Sequence, residues 1–143
     1  MKTGYDKELI NSLCNSKNNN HIYVIDDPEN IIAGIEQQYS FGYSGIDWGT
    51  VKYDYFFDLK KSNLSVDQDM EKCLQEVVNM VPEIINAEAI FFGDALNLAY
   101  SMQFSDFIEL HQLFLSIPQH SYLWFPKLKK CINFTLESEF FFG

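Results

Sequence analysis

The sequence predicts an α+β fold in which helices pack on a mixed or antiparallel sheet of four to five strands. Residues 51–60 alternate apolar and mostly polar side chains, which is typical of a half-buried strand. Ser65 and Gln68 form a capping-box pattern before apolar residues at helical spacing, which predicts a helix. Only four residues separate the apolar segments 120–125 and 130–142, so we expect these two strands to be antiparallel.

The N-terminal part of the chain predicts two helices and a short strand. Apolar residues on one side of residues 5–13 indicate a first helix, and the polar residues 15–20 that follow indicate a loop. Residues 21–25 form a brief apolar strand. Asp27 at the cap position and Pro28 at the first helical position then predict a helix that ends near residue 38.

The C-terminal part predicts further strands and helices. Residues 87–92, which are apolar except for Glu88, have the length of a strand. Asp94 is placed to cap a helix over residues 95–102, and Ser105 to cap another over residues 106–116. These elements have no linker-like segment between them, so we expect one domain over residues 1–143.

Composition excludes several classes of protein. The chain has 20 acidic and 10 basic residues, a net charge of −10, and every basic residue is a lysine. This charge argues against direct binding to nucleic acid or to an anionic membrane surface. No apolar run approaches the ~18 residues of a membrane span, and the polar first residues lack the apolar stretch of a secretory signal. We therefore expect a cytoplasmic protein.

No catalytic or metal-binding motif is complete. Residues 42–46 approach a nucleophile elbow but have isoleucine where glycine is required. Residues 67–71 resemble the start of a calcium-binding loop. This segment lacks the glycine that such a loop has at its sixth position, and it has Val78 instead of glutamate at the twelfth. We therefore expect no enzyme activity, no cofactor and no bound metal. The cysteines are too widely spaced for a zinc or redox motif and are expected to be free thiols: Cys14, Cys73 and Cys131.

Negative charge is concentrated between residues 67 and 109, where nine acids accompany one base. On the helix after Ser65 we expect the acids to face solvent, and Asp54 and Asp58 share the polar side of the preceding strand with Phe56. This surface is either a solubilising face or a docking face for a basic protein, whose association such a field accelerates. The helix acids concerned are Asp67, Asp69, Glu71 and Glu76.

The segment 41–49 contains three glycines and three aromatic residues. Aromatic side chains beside acids are the residue types that anchor protein interfaces. Tyr43 and Trp48, with Asp47 beside them, are the candidate anchors. The alternative is that both rings fold back and cover one end of the sheet.

A small, acidic, aromatic-rich chain with the acidic segment 67–109, the Gly-aromatic segment 41–49 and free cysteines resembles the immunity proteins of bacterial toxin–immunity systems. The contact-dependent growth inhibition type is the group it resembles in overall character. The resemblance implies a cognate toxin domain as partner, commonly a basic nuclease, whose active site or substrate groove is occluded. The partner-binding residues expected on this basis are Tyr43, Asp47, Trp48, Asp54, Asp58, Asp67, Asp69 and Glu71.

Two alternative functions remain open at the level of sequence. One is a nucleic-acid mimic that inhibits host nucleases through a similar acidic face. The other is a small enzyme or ligand-binding domain with a pocket near residues 41–49. The 13 phenylalanines are compatible with a homodimer interface or with a dense core, and the apolar residues 139–143 should dock in the sheet or against another chain.

Overall fold

The computed structural model describes residues 1–16, 21–42 and 45–143. Seven strands form one antiparallel sheet, and a separate two-residue pairing joins β2 to β3. The order across the large sheet is β1-β6-β5-β7-β8-β9-β4, so β1 and β4 are its edges. In chain order the elements are α1 (Gly4–Cys14), β1 (Tyr23–Ile25), α2 (Glu29–Gln38), β2 (Phe41–Gly42), β3 (Gly45–Ile46), β4 (Tyr55–Asp58), α3 (Val66–Met80), β5 (Glu88–Gly93), β6 (Ala99–Gln103), α4 (Phe104–Leu115), β7 (Ser121–Phe125), β8 (Lys130–Phe134) and β9 (Glu139–Phe142).

The α+β class and the antiparallel pairing of β7 with β8 are confirmed, but the expected four to five strands are wrong because the sheet has seven. The predicted helix over residues 95–102 is also wrong. A turn follows β5, and β6 then begins at Ala99. Four of the five β6 residues are buried, because the sheet is covered on both sides there. The sequence of β6 does alternate, since Tyr100 and Met102 pack in an apolar cluster while Ser101 and Gln103 are polar, but the segment is short and follows Asp94, a residue type that also fits a helix cap.

Two further predicted strands have different bounds. The pattern over residues 51–60 forms only the four-residue strand β4, which a 3-10 helix at Leu59–Lys61 follows. The single strand expected over residues 130–142 is two strands, β8 and β9. A turn separates them in which Ser138 adopts a positive φ of 60°. Residues 139–142 therefore dock in the sheet of this chain, between β8 and β4.

Of the two helix caps expected at α2 and α3, the structure has one. Ser65 accepts a hydrogen bond from the Gln68 backbone N–H, and the Gln68 side chain accepts one from the Ser65 N–H, so the predicted capping box of α3 is confirmed. The cap predicted at Asp27 is wrong: Pro28 occupies the N-cap position of α2, and no side chain caps that helix.

The sheet separates two apolar clusters, and alternate residues of each strand point into one or the other. Helices α1, α3 and α4 cover the helical face, where Phe91, Tyr100 and Phe140 are fully buried. On the opposite face, α2 and residues 45–51 cover only part of the sheet, packing on side chains that include Ile90 and Trp124. We call this second side the open face.

Asp6 connects α1 to the β5–β6 turn. Its carboxylate is completely buried and accepts hydrogen bonds from both the N–H and the hydroxyl of Thr3, from the N–H groups of Asn97 and Leu98, and from the hydroxyl of Tyr100. Burial raises the pKa of Asp6, but the bonds from Asn97, Thr3 and Tyr100 outweigh it, so the net pKa lies below its ordinary value.

None of the helices in the described ranges combines the length and the apolarity that crossing a bilayer requires.

Candidate functional site

Four aromatic rings cluster on the open face where β9 meets the edge strand β4. Phe56 and Phe141 are cross-strand neighbours with ring centroids 4.9 Å apart. Tyr53 packs edge-on against Phe141, with ring centroids 5.5 Å apart. Trp48 stacks on Phe141, with ring centroids 5.1 Å apart and an interplanar angle of 4°. Tyr53 is 43% and Phe56 39% exposed. We call these four residues the aromatic patch.

Trp48 is the buried member of the aromatic patch. Only 8% of the residue is exposed, and its indole Nε1 donates a hydrogen bond of 3.0 Å to the Asn133 side-chain oxygen. Asn133 is itself held by a bond to the Ser121 carbonyl. The indole therefore offers little surface to a partner and instead holds Phe141 in place. Tyr43, the other expected anchor, lies outside the described residues.

Carboxylates surround the aromatic patch. Asp58 and Glu139 are directly opposed across β4 and β9. Like charges at such positions destabilise a strand pair, and the Lys60 ammonium, 3.9 Å from Asp58, compensates only in part. Asp54, just before β4, pairs with Lys130 at 2.8 Å. The exposed Asp47 accepts a bond from the Gly49 N–H in the turn next to Trp48.

The acids of α3 lie on the other side of the sheet, because α3 packs on the helical face. Asp67 and Glu71 are exposed, as expected. The expectation that Asp69 faces solvent is wrong: it is 1% exposed and accepts a 2.7 Å hydrogen bond from the Ser62 hydroxyl. The seven of these eight proposed residues that the structure describes therefore do not form one surface.

A cavity of about 490 Å³ opens on the open face beside the β2–β3 pair. Sequence reasoning placed a pocket near residues 41–49, and Phe41 and Gly45 do line this one. The sequence analysis did not identify Glu36, Asp94 and His120 as members of one site, because they come from α2 and from two turns and no common spacing relates them. Among the residues that the structure describes, the lining consists of Ile32, Glu36, Phe41, Gly45, Phe92, Gly93, Asp94, His120 and Tyr122.

Two side chains of this cavity have shifted pKa values. Burial raises the pKa of Asp94, and the neighbouring His120 opposes that shift only in part. Burial and the Asp94 carboxylate raise the pKa of Tyr122 above its usual range, so its phenol stays protonated. His120 Nδ1 accepts the Leu136 N–H at 3.4 Å, which places the proton of the neutral ring on Nε2.

A second cavity, of about 620 Å³, lies where β1, β5 and β6 meet the start of α4. Its polar residues include two acids, one lysine and one histidine. Glu88 accepts a 2.9 Å hydrogen bond from the Ser101 hydroxyl, and His21 Nδ1 lies 3.7 Å from Asp106. The charges in this lining are mixed and indicate no single ligand class.

His111 is a core histidine on α4 and is 5% exposed. Its Nδ1 donates to the Ile108 carbonyl at 2.7 Å, and within the described ranges its Nε2 has no hydrogen-bond partner. Across the same residues, no three His, Cys, Asp or Glu side chains come together as metal ligands. Neither a protein-family model nor a curated protein sequence matches the chain.

Proposed function

We propose that this chain is an immunity protein that neutralises a cognate toxin domain, and that it docks through the aromatic patch and the carboxylates around it. The observation that carries the proposal is the exposure of Tyr53 and Phe56 on a part of the open face that no helix covers. Apolar patches with a polar rim are typical of protein-binding surfaces.

The exposed rings supply the affinity. An aromatic side chain buries about 150–250 Å² in a complete interface, so the two rings retain about 80 Å² each for a partner. At ~25 cal/mol per Å², covering each ring contributes about 2 kcal/mol. The support of Phe141 by Trp48 keeps the rings in one arrangement, which lowers the entropy lost on binding.

The carboxylates supply steering and favour a basic partner. Asp58 and Glu139 are neighbours in the register of β4 and β9, so a lysine or arginine of the partner placed beside them is attracted by both carboxylates. The net charge of −10 extends the attraction beyond the contact surface. Nuclease grooves are lined with cations that hold phosphates, so such a surface fits a basic nuclease.

The test uses the purified toxin domain encoded beside this gene. Phe56→Ala should raise the dissociation constant by at least tenfold, because truncation removes a central anchor. Met80→Ala is the matched control, since Met80 is 44% exposed at the end of α3, the helix that packs on the other side of the sheet. Equal affinities for both variants and the wild type would refute docking through the aromatic patch.

Charge is tested separately through association rates. Glu139→Gln should slow association and flatten its dependence on salt, and Glu29→Gln on α2 is the control. If several unrelated DNA-binding proteins bind as tightly as the toxin domain, the chain is a nucleic-acid mimic instead.

The cavity beside the β2–β3 pair favours a second candidate, a ligand-binding domain. Its volume lies in the range of ligand sites, and apolar walls with a few polar groups are their usual lining. A ligand at 100 times its dissociation constant would stabilise the fold by about 2.7 kcal/mol, which a thermal shift detects. A flat response to a broad fragment panel would argue against this candidate.

A further inference from the structure

The strand β4 lies at an edge of the large sheet, and its backbone is paired on one side. Within the described ranges its one neighbouring strand is β9. The Leu59 N–H donates to the Ser138 carbonyl across this pair, so every second residue before Leu59 also directs its backbone groups toward β9. The N–H and C=O groups of Phe56 and Asp58, which lie at the alternate positions, therefore point away from the sheet.

The middle of β4 carries nothing that discourages pairing with another strand. Proline or charged side chains within an edge strand commonly prevent such pairing. Tyr55, Phe56 and Phe57 are aromatic residues, which favour strands, and none of them is proline or charged. Phe56 is also 39% exposed, so the described elements leave its side chain accessible. This edge of β4 is therefore open to a further strand.

A strand added at this edge would reach the aromatic patch. Every second side chain of such a strand points to the open face, in line with Phe56 and Asp58. An apolar residue beside Phe56 would cover the exposed ring, and a lysine or arginine two positions away would lie beside Asp58 and Glu139. In this mode of recognition the backbone hydrogen bonds supply affinity and the alternate side chains supply specificity.

Charge favours a basic partner over a second copy of this chain. Two copies paired through β4 would each bring a net charge of −10, together with Asp58 and Glu139, to one junction. Like charges on neighbouring strands destabilise the pair, whereas a basic strand is attracted by the same carboxylates. The opposite edge, β1, spans only three residues and lies at the far end of the sheet from the aromatic patch.

We infer that an extended, basic segment of the toxin domain pairs with the outer edge of β4 and adds an eighth strand to the sheet. The inference rests on the proposed function, because it specifies how the partner reaches the aromatic patch. It adds main-chain recognition at Phe56 and Asp58 to the side-chain contacts already proposed.

The test compares Phe56→Pro with Phe56→Ala in binding to the purified toxin domain. Both variants remove the ring, but only proline also removes the outward N–H, which the pairing of β4 with β9 does not use. Phe56→Pro should bind at least about tenfold more weakly than Phe56→Ala, because a main-chain hydrogen bond is lost and the proline ring obstructs the incoming strand. Circular dichroism of both variants shows whether they are folded.

Val24→Pro is the matched control at the opposite edge. The Phe104 N–H donates to the Ala87 carbonyl, so alternate residues of β6, including Tyr100, bond to β5. Val24 lies opposite Tyr100 in the register of β1 and β6, so its N–H also points away from the sheet, and the residue is 41% exposed. Val24→Pro should bind the toxin domain as tightly as the wild type does.

Amide hydrogen exchange of the wild-type chain is a second measurement that depends on no variant. In the free protein the amides of Phe56 and Asp58 should exchange rapidly, whereas those of Tyr55 and Phe57 are protected by β9. Binding of the toxin domain should slow exchange at Phe56 and Asp58 by at least about tenfold. This measurement decides the question if Phe56→Pro does not fold.

The failure of the inference can be distinguished from the failure of the proposed function. Equal affinities of folded Phe56→Pro and Phe56→Ala, both weaker than wild type, would overturn the added strand and leave docking through the aromatic patch in place. Unchanged exchange at Phe56 and Asp58 in the complex would overturn it as well. Wild-type affinity of Phe56→Ala would refute the docking surface, and the inference with it. A dimer of the free chain that Phe56→Pro converts to a monomer would identify a second copy as the occupant and overturn the basic segment.

Discussion

Replacement of Asp6 by asparagine should destabilise the fold although it exchanges only one oxygen for an NH2 group. The carboxylate is completely buried and accepts five hydrogen bonds, four of them at 2.8–2.9 Å and one, from the Leu98 N–H, at 3.4 Å. An asparagine oxygen can keep the three bonds from Thr3 and Asn97. Its amide nitrogen then faces the Leu98 N–H, so two donors meet.

The cost follows from the strength of charge-assisted hydrogen bonds. A bond to a charged group contributes about 1.5–3 kcal/mol and a neutral one about 0.5–1.5 kcal/mol. In Asp6→Asn several of these bonds are weakened and one donor is left unpaired. Part of this free-energy cost is offset, because a neutral amide does not carry the desolvation penalty of a buried charge. We expect a net loss of about 2–3 kcal/mol in the free energy of unfolding. This corresponds to about 6–9 °C in melting temperature for a chain of this length.

Urea denaturation at pH 7, followed by circular dichroism, measures this loss, with the exposed Glu8→Gln on the same helix as control. Because hydrogen bonds depress the pKa of Asp6 in the folded state, its contribution is present above its ordinary value of 3.8 and is lost as the pH falls through the lower folded pKa. The difference between wild type and Asp6→Asn should therefore shrink in acid. A change below about 0.5 kcal/mol at pH 7, or one that grows in acid, would refute the reasoning.

Three further predictions concern residues of the sheet and its helices. Asp69→Asn should lower the free energy of unfolding by about 1–3 kcal/mol, because it weakens a buried bond, whereas the exposed Asp67→Asn should cost under about 1 kcal/mol in the same urea titration. Gly45→Ala should lower the melting temperature, because the residue has a positive φ and a Cβ atom there would contact Tyr122. Gly34→Ala in α2 should raise the melting temperature or leave it unchanged, because a Cβ atom there meets open space. The reverse order of melting temperatures would contradict the close approach of Gly45 to Tyr122. Burial raises the pKa of the Cys73 thiol to about 11, so iodoacetamide at pH 8 should label it only after unfolding, and rapid labelling of the folded protein would contradict its burial.

The fold was predictable where one local pattern decided the structure. The capping box of α3 and the four-residue turn between β7 and β8 each specify their geometry without help from distant residues. The strand β6 was missed although its residues alternate, with Tyr100 and Met102 apolar and Ser101 and Gln103 polar, because Asp94 before it also matches the cap of a helix. The number of strands was underestimated because β6 was expected to be part of a helix, and because β8 and β9, which a turn separates, were expected to be one strand.

The candidate site shows the same division. Asp54, Phe56 and Asp58 occupy every second position, so the sequence already indicated that they share one side of the strand. It also indicated that aromatic residues lie beside acids. Only the cross-strand register brings Phe141 and Glu139 to the same place, and register depends on long-range pairing. The burial of Asp69 was equally hidden, because its partner Ser62 lies in the turn before α3.

The central claim is tested most directly by growth of the native host after deletion of this gene, with the toxin gene that the proposal places beside it left intact. The account predicts growth arrest, full rescue by the wild-type chain supplied in trans, and weaker rescue by Phe56→Ala than by Met80→Ala at equal protein levels. Normal growth of the deletion strain with an active toxin would contradict the proposal that this chain is its immunity protein.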